Sequence, residues 1–251
     1  MDELTKKLFE NIKTSISETF KVKKIGIAFS GGVDSTLISK ICSDMNYDIT
    51  LLTIGFPTSH DILFAKQVNE FLKYPHHILE IDLKTFHDVS KKIHKIIQTE
   101  NLSWNENCIA FHYVSKLANS LELDTVITAN GIDELFCGYN AYREAFSDGE
   151  SKINEVMNSK LDNELRMMKA VNLISSEFSV KILQPLLSSK FIEFAKTVPI
   201  SEKIHDSEDL YRKHIIRKLA REIKIPEISC GKRKKALQYG SKIHKALLKT
   251  R

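Results

Sequence analysis

Six consecutive residues, Ser30-Gly31-Gly32-Val33-Asp34-Ser35, set two glycines, two hydroxyls and a carboxylate side by side. Glycines let a backbone close on a ligand, and N–H groups at a helix start attract phosphate oxygens, so this hexapeptide suits the holding of a phosphorylated ligand. It is neither the lysine-bearing mononucleotide loop nor the G-x-G-x-x-G dinucleotide fingerprint. Taken alone it also reads as a glycine turn with a Ser or Asp helix cap. A second group, Asn130-Gly131-Ile132-Asp133-Glu134-Leu135-Phe136-Cys137-Gly138-Tyr139, adds further acids. If both groups sit at the mouths of neighbouring strands, Asp34 and Asp133 can together hold a Mg²⁺ ion that bridges triphosphate oxygens.

The elements that must position these groups follow from apolar spacing. Leu4, Leu8, Ile12, Ile16 and Phe20 recur every four residues, which predicts an amphipathic helix over 4–20. Ile25, Ile27 and Phe29 alternate with Gly26 and Ala28, as in a strand covered on both faces over 24–30, and Val33, Leu37, Ile38 and Ile41 continue as a helix. Strands are then expected over 48–56, 76–81 and 124–129, with helices over 62–72, 86–97 and 107–121. Such alternation means right-handed crossovers and a doubly wound, Rossmann-like parallel sheet of the α/β class, with its ligand beyond the carboxyl ends of the strands.

From about residue 151 the strand signals stop, and helical spacing holds over 156–174, 191–195 and 211–223. Pro185, Pro199 and Pro226 read as helix boundaries. The expected organisation is an N-terminal helix over 1–22, an α/β nucleotide-binding region over 23–150 and a helical C-terminal region over 151–251, sharing one core.

Of 251 residues 42% are hydrophobic and 27% charged, with 9 Gly and 5 Pro, the balance of a globular chain with a core. No stretch has the length and apolarity of a membrane span, and the charged start Met1-Asp2-Glu3 is unlike a secretory signal, so a cytoplasmic protein is expected. Cys42, Cys108, Cys137 and Cys230 are far apart and read as reduced core residues. His76, His77, His87, His94, His112, His205, His214 and His244 are scattered, with no metal cluster apparent. The net charge of +5 hides a local +12 over residues 210–251 against −7 in the remainder, which suggests an anionic ligand such as polyphosphate or RNA.

The hexapeptide at 30–35 matches the SGGxDS pyrophosphate loop of the ATP pyrophosphatases, and Gly131 to Tyr139 resembles the G-x-D-E-L-F-x-G-Y motif of the asparagine synthetase branch. Residues 183–187, 191–195 and 213–222 also resemble that family's helical region, and Arg233-Lys234-Lys235 its basic R-x-K element. The resemblance implies an ATP-dependent amide ligase. A substrate carboxylate would attack the α-phosphorus of ATP, giving an acyl-adenylate and pyrophosphate, and ammonia or an amine would then form the amide.

On that reading Ser30, Gly31, Gly32, Asp34 and Ser35 hold the pyrophosphate, and Asp34 and Asp133 hold Mg²⁺. Lys235 stands in the catalytic lysine's place, with Lys232, Arg233 and Lys234 beside it. Phe29, Ile54, Thr128, Ala129 and Gly131 lie near the adenosine, and Tyr139, Tyr142 and Arg143 line the acceptor pocket or simply pack.

Two departures stand out. Glutamine-dependent relatives carry a glutaminase domain with a Cys directly after Met1, whereas Asp2 stands here. Nitrogen is therefore expected from ammonia, an amine or a separate glutaminase subunit; the helix over 4–20, read first as packed on the core, also offers such a partner a place to dock. The family usually has Asp or Glu where Asn130 stands, and an amide cannot accept a proton from the incoming nitrogen at neutral pH. Two alternatives stay open at this stage: a tRNA-modifying enzyme of the same superfamily, favoured by the basic tail, and a nucleotide-binding regulatory subunit.

Overall fold

The structure is a computed structural model that describes residues 1–231 and 237–249. Helix α1 (Glu3–Thr19) is capped by Asp2, whose carboxylate accepts from Thr5 N at 2.8 Å, and it buries Leu8, Ile12 and Ile16. Strand β1 (Lys24–Ala28) leads through the glycine turn into α2 (Val33–Asp44); β2 (Asp48–Gly55), α3 (His60–Leu72), β3 (His76–Glu80) and α4 (Leu83–Ile97) follow. Helix α5 (Leu102–Ser120) returns the chain to β4 (Thr125–Ile127), and two short helices, α6 (Ile132–Leu135) and α7 (Asn140–Glu144), carry the second motif. The long α8 (Glu150–Ser176) precedes β5 (Lys181–Leu183), α9 (Ser189–Thr197), α10 (His214–Glu222), α11 (Glu227–Cys230), α12 (Leu237–Gly240) and α13 (Ile243–Leu248).

The five strands form one parallel sheet in the order β3-β2-β1-β4-β5. The chain builds outward from β1 to β3, then crosses back to lay β4 against the other edge of β1. The β1/β4 boundary is therefore the topological switch point, where a crevice opens beyond the strand ends. Gly26 sits at this seam, in register with Val126. A Cβ there would come 2.7 Å from Leu52 Cδ1 and 3.2 Å from Val126 Cγ2.

Side chains alternate across the sheet, so consecutive residues feed different cores. Leu51 and Ile127 join Leu8, Ile27, Leu37 and Ile216 on one face. Their neighbours Leu52 and Val126 join Ile109, Met168, Ile182 and Ile243 on the other. Both cores draw on residues before and after 150.

The expected α/β class with a parallel, doubly wound sheet is what the chain adopts, with one correction. Strand pairing does not stop at residue 151, because β5 pairs with β4 from Lys181 opposite Thr125 to Leu183 opposite Ile127. Three residues at a sheet edge are too few to display an alternation. Helices α4 and α5 also begin earlier than apolar spacing indicates, at side-chain caps: Asp82 accepts from Lys84 N at 3.0 Å and Asn101 from Trp104 N at 3.2 Å. The four cysteines are free and buried, and desolvation pushes the Cys42, Cys108 and Cys137 thiols up to about 12 and Cys230 to about 11. Among the described residues, no helix is long and apolar enough to cross a membrane.

Candidate active site

The hexapeptide forms the turn between β1 and α2. Gly31 adopts φ +76°, a left-handed conformation that favours glycine, and a Cβ on it would press on Phe64 and Ala65 of α3. Gly32 occupies the N-cap of α2 with no side-chain cap, which leaves the helix's first N–H groups to a ligand. Ser35 Oγ donates to Gly32 O and accepts from Ser30 N, both at 3.3 Å, so the two hydroxyls are gathered over the turn. A residue far away in sequence braces it: Ser229 Oγ donates to Gly31 O at 2.6 Å and lies 3.0 Å from Thr36 Oγ1.

Asp133 stands on the first turn of α6, just past the end of β4. It faces Asp34 across the crevice, and among the described residues one cation lies between them. Lys213 Nζ donates to Asp34 Oδ2 at 2.6 Å and to Asp133 Oδ1 at 2.9 Å. The two loops, nearly a hundred residues apart, thus converge on one positive charge. The Lys213 side chain is 2% exposed. Burial alone would lower its pKa, but Asp133 and Asp34 outweigh that and hold it above the usual lysine value.

The backbone around this lysine is unusual. Arg212 and Lys213 have φ of 44° and 54°, a region that L-residues with side chains enter at a cost of about 1 kcal/mol or more each. The kink is held by its own neighbours. Arg217 Nε donates to the carbonyls of Tyr211 and Arg212, both at 3.0 Å, its guanidinium also donates to Cys230 O, and Arg212 donates to Gly138 O at 3.2 Å.

Phe29, Ile54, Thr128 and Ala129 line the crevice together with Ser30, Gly32, Asp34 and Ser35, and His60 and Asp61 of α3 join them. Gly131 sits at the head of the acidic loop. With φ +107° it packs on Leu186, whose carbonyl oxygen a Cβ would meet at 2.8 Å, and its N–H donates to Glu134 at 2.9 Å. It shapes the acidic loop and does not figure among the residues that line the crevice.

Of the aromatic pair, Tyr139 lines the crevice and donates to Glu134. Tyr142 is fully buried and donates to the Glu134 carbonyl, while Arg143 turns away to Ser207 O and Glu208. Lys235, with Lys232, Arg233 and Lys234, lies outside the described residues.

Sequence reasoning missed Lys213, Arg217 and Ser229, because the helical region they sit in was read for packing; the only signal was the i, i+4 spacing of Lys213 and Arg217. It also missed Glu164 of α8. This residue is 4% exposed, lines the same crevice and accepts from Asn130 Nδ2 at 2.5 Å. The histidines are not all scattered: His205, Asp209 and His214 come together, with His214 Nε2 2.6 Å from Asp209 Oδ2. The two rings are stacked 3.5 Å apart at 3°. A metal bound by both would have to lie in both ring planes, and parallel planes do not meet.

Comparison with known proteins gives the family. The sequence profile of the asparagine synthase family matches residues 17–172, which take in both loops and most of α8. The chain belongs to the asparagine synthase family. A Methanocaldococcus jannaschii protein named as a glutamine-hydrolysing asparagine synthetase is 26% identical over 284 aligned positions, covering 99% of this chain and 51% of that protein. Asparagine synthetase B of Escherichia coli K12 is 21% identical, with 86% and 41% covered. This asparagine synthase family chain therefore spans about half or less of the length of the curated relatives it matches. Among solved structures, NMN synthetase of Francisella tularensis shares the fold, with a TM-score of 0.50 at 15% identity over 94% of this chain and 76% of that one.

Proposed function

We propose that the chain is an ATP-dependent, AMP-forming carbon–nitrogen ligase of the asparagine synthetase type. It would join a substrate carboxylate to ATP with release of pyrophosphate, and then pass the acyl group to ammonia or an amine. The observation that carries this reading is the convergence of Asp34 and Asp133 on one cation beside the glycine turn. Family membership supports it independently.

Each residue has a physical part. The uncapped N–H groups at the start of α2, with the Ser30 and Ser35 hydroxyls, would hold the departing pyrophosphate. Phe29, Ile54, Thr128 and Ala129 would receive the adenosine. Two carboxylates from separate loops are hard oxygen donors already brought onto one cation, so the pair fits Mg²⁺, which when bound supplies charge that offsets the growing negative charge of the leaving group. Lys213 would then neutralise phosphate oxygens beside the glycine turn, where it already meets Asp34.

Carboxylate-dependent exchange of labelled pyrophosphate into ATP tests this proposal. Exchange is expected with at least one acid from a panel headed by aspartate, and Asp34→Asn and Asp133→Asn should each reduce it by at least about 10². No exchange with any acid, metal present, sinks the adenylation chemistry. Native exchange in either variant removes the metal role.

A further inference from the structure

Lys213 is mounted where a lysine is out of place. It is the N-cap of α10, with φ 54° and ψ 40° and no side-chain cap, a position that favours Ser, Thr, Asp or Asn. A positive charge also stands badly at a helix start, whose own partial charge is positive. Its ammonium is buried besides, and Arg212 before it shares the left-handed backbone. The conformation persists only if something outside the helix imposes it.

One carboxylate gathers the chain on both sides of this lysine. Asp209 Oδ1 accepts from Tyr211 N at 3.0 Å and from Arg212 N at 2.9 Å, and Oδ2 accepts from His205 N at 3.0 Å. His214, the first residue of α10, turns its ring back so that Nε2 donates to the same Oδ2 at 2.6 Å. The Asp209 side chain is buried. Burial works to raise its pKa, but the Arg212 and His205 N–H groups and then His214 outweigh it and bring the carboxyl down to about 2. The segment so gathered is also fastened to the acidic loop and α7: Arg212 donates to Gly138 O at 3.2 Å and Arg143 Nε to Ser207 O at 2.7 Å.

We infer that Asp209 is the positioning residue for Lys213, holding Arg212 and Lys213 in the one backbone conformation that delivers the ammonium to Asp34 and Asp133. Released from Asp209, the two residues would relax toward ordinary helical or extended dihedrals, with φ of roughly −60° or below. A rotation of that size redirects the Cα–Cβ bond of Lys213, and the ammonium leaves its carboxylates. Asp209 is not among the residues that line the crevice and acts through Lys213 alone. The kinetic consequence of the inference rests on the ligase reading above; the mounting of the lysine does not.

The test reads the lysine directly, by NMR of the Nζ–H groups in ¹⁵N-lysine-labelled chain at slightly acidic pH without divalent ions. Among the described residues two lysines are buried, Lys213 and Lys203, the latter donating to Ala195 O at 2.7 Å. Both should give protected ammonium signals, and Lys213→Met identifies the first. Asp209→Asn, which turns one oxygen into an NH₂ that cannot accept, should abolish the Lys213 signal and keep that of Lys203. His214→Phe, a milder change that removes only the ring's donor, should weaken the same signal. In pyrophosphate exchange at saturating ATP, Asp209→Asn should lose about tenfold or more, yet add less than about twofold to the loss in a Lys213→Met background. A native Lys213 signal in both variants overturns the assignment. Loss of the Lys203 signal together with that of Lys213, or an equal kinetic loss in both backgrounds, does so too, being the mark of a general structural role. Absence of exchange in the native chain overturns the ligase reading, and the NMR result then decides the placement of Lys213 by itself.

Discussion

Lys213 brings one positive charge to a site built from two negative ones, and the arithmetic of buried charge makes it a structural as well as a chemical residue. Removing one member of a buried ionic group leaves the others uncompensated, at a cost of about 3–5 kcal/mol when all are dry. The Asp34 and Asp133 side chains are about one-fifth exposed, so the lower end applies. Lys213→Ala should therefore lower the melting temperature by several degrees in the absence of divalent ions. If the same two carboxylates are the Mg²⁺ ligands, the ion replaces the missing ammonium. Thermal melts of the variant should then rise with millimolar Mg²⁺ by clearly more than those of the native chain, and equal rises in the two would separate the lysine site from the metal site. Asp34 and Asp133 were legible in the sequence because each sits in a compact motif. Lys213 was not, since it reaches Asp34 across 179 residues of chain.

At the scale of elements, the strand ends do the positioning, and short loops are where a single atom matters. Gly138 closes the acidic loop against Asp133: a Cβ there would lie 1.8 Å from Asp133 Oδ1 and 2.7 Å from its Cα. Gly138→Ala should push this carboxylate off the shared cation and lower pyrophosphate exchange by about 10² or more, while the apolar cores stay intact. Exchange assays paired with circular dichroism check this, and native exchange in the variant would show that Asp133 need not hold its place. The same contrast explains what could be read beforehand. The β1-turn-α2 unit was visible because alternation, two glycines and a helical stripe abut in one run of sequence. The edge strand β5, the Ser229 brace at Gly31 and the carboxylate on α8 were not, because each depends on which distant backbone the fold lays beside it.

At the scale of the molecule, the basic C-terminal stretch changes meaning once folded. Lys213 is spent on Asp34 and Asp133, Arg212 and Arg217 on backbone carbonyls, Lys218 on Asp2, and Arg221 on Glu227. Lys213 and Lys218 are thus counter-charge to acids of the rest of the chain, and Arg212, Arg217 and Arg221 are held by partners within the fold. Filter retention of tRNA should be feeble and lost by about 0.2 M salt, where a phosphate-tracking surface would hold on more strongly at low salt.

Stability of the whole fold should also depend on acid in a defined window. His112 is buried against Tyr113 and Phe178, and burial first, with Lys92 next, lowers its pKa to about 4. Burial, then His77 and Lys66, do the same to His76. The folded chain keeps both rings neutral down to about pH 4, whereas unfolded histidine takes up its proton near pH 6.5. Between those values the unfolded state binds more protons, so stability is full above pH 6.5 and falls as pH drops toward 4. The loss amounts to about 2–3 kcal/mol per ring, a large share of a typical 5–15 kcal/mol total. Melts at pH 7.5, 6 and 5 should show a steep decline, and His112→Phe, which keeps an aromatic ring in the same apolar niche, should flatten it. An unchanged slope in that variant would mean that other groups set the acid limit.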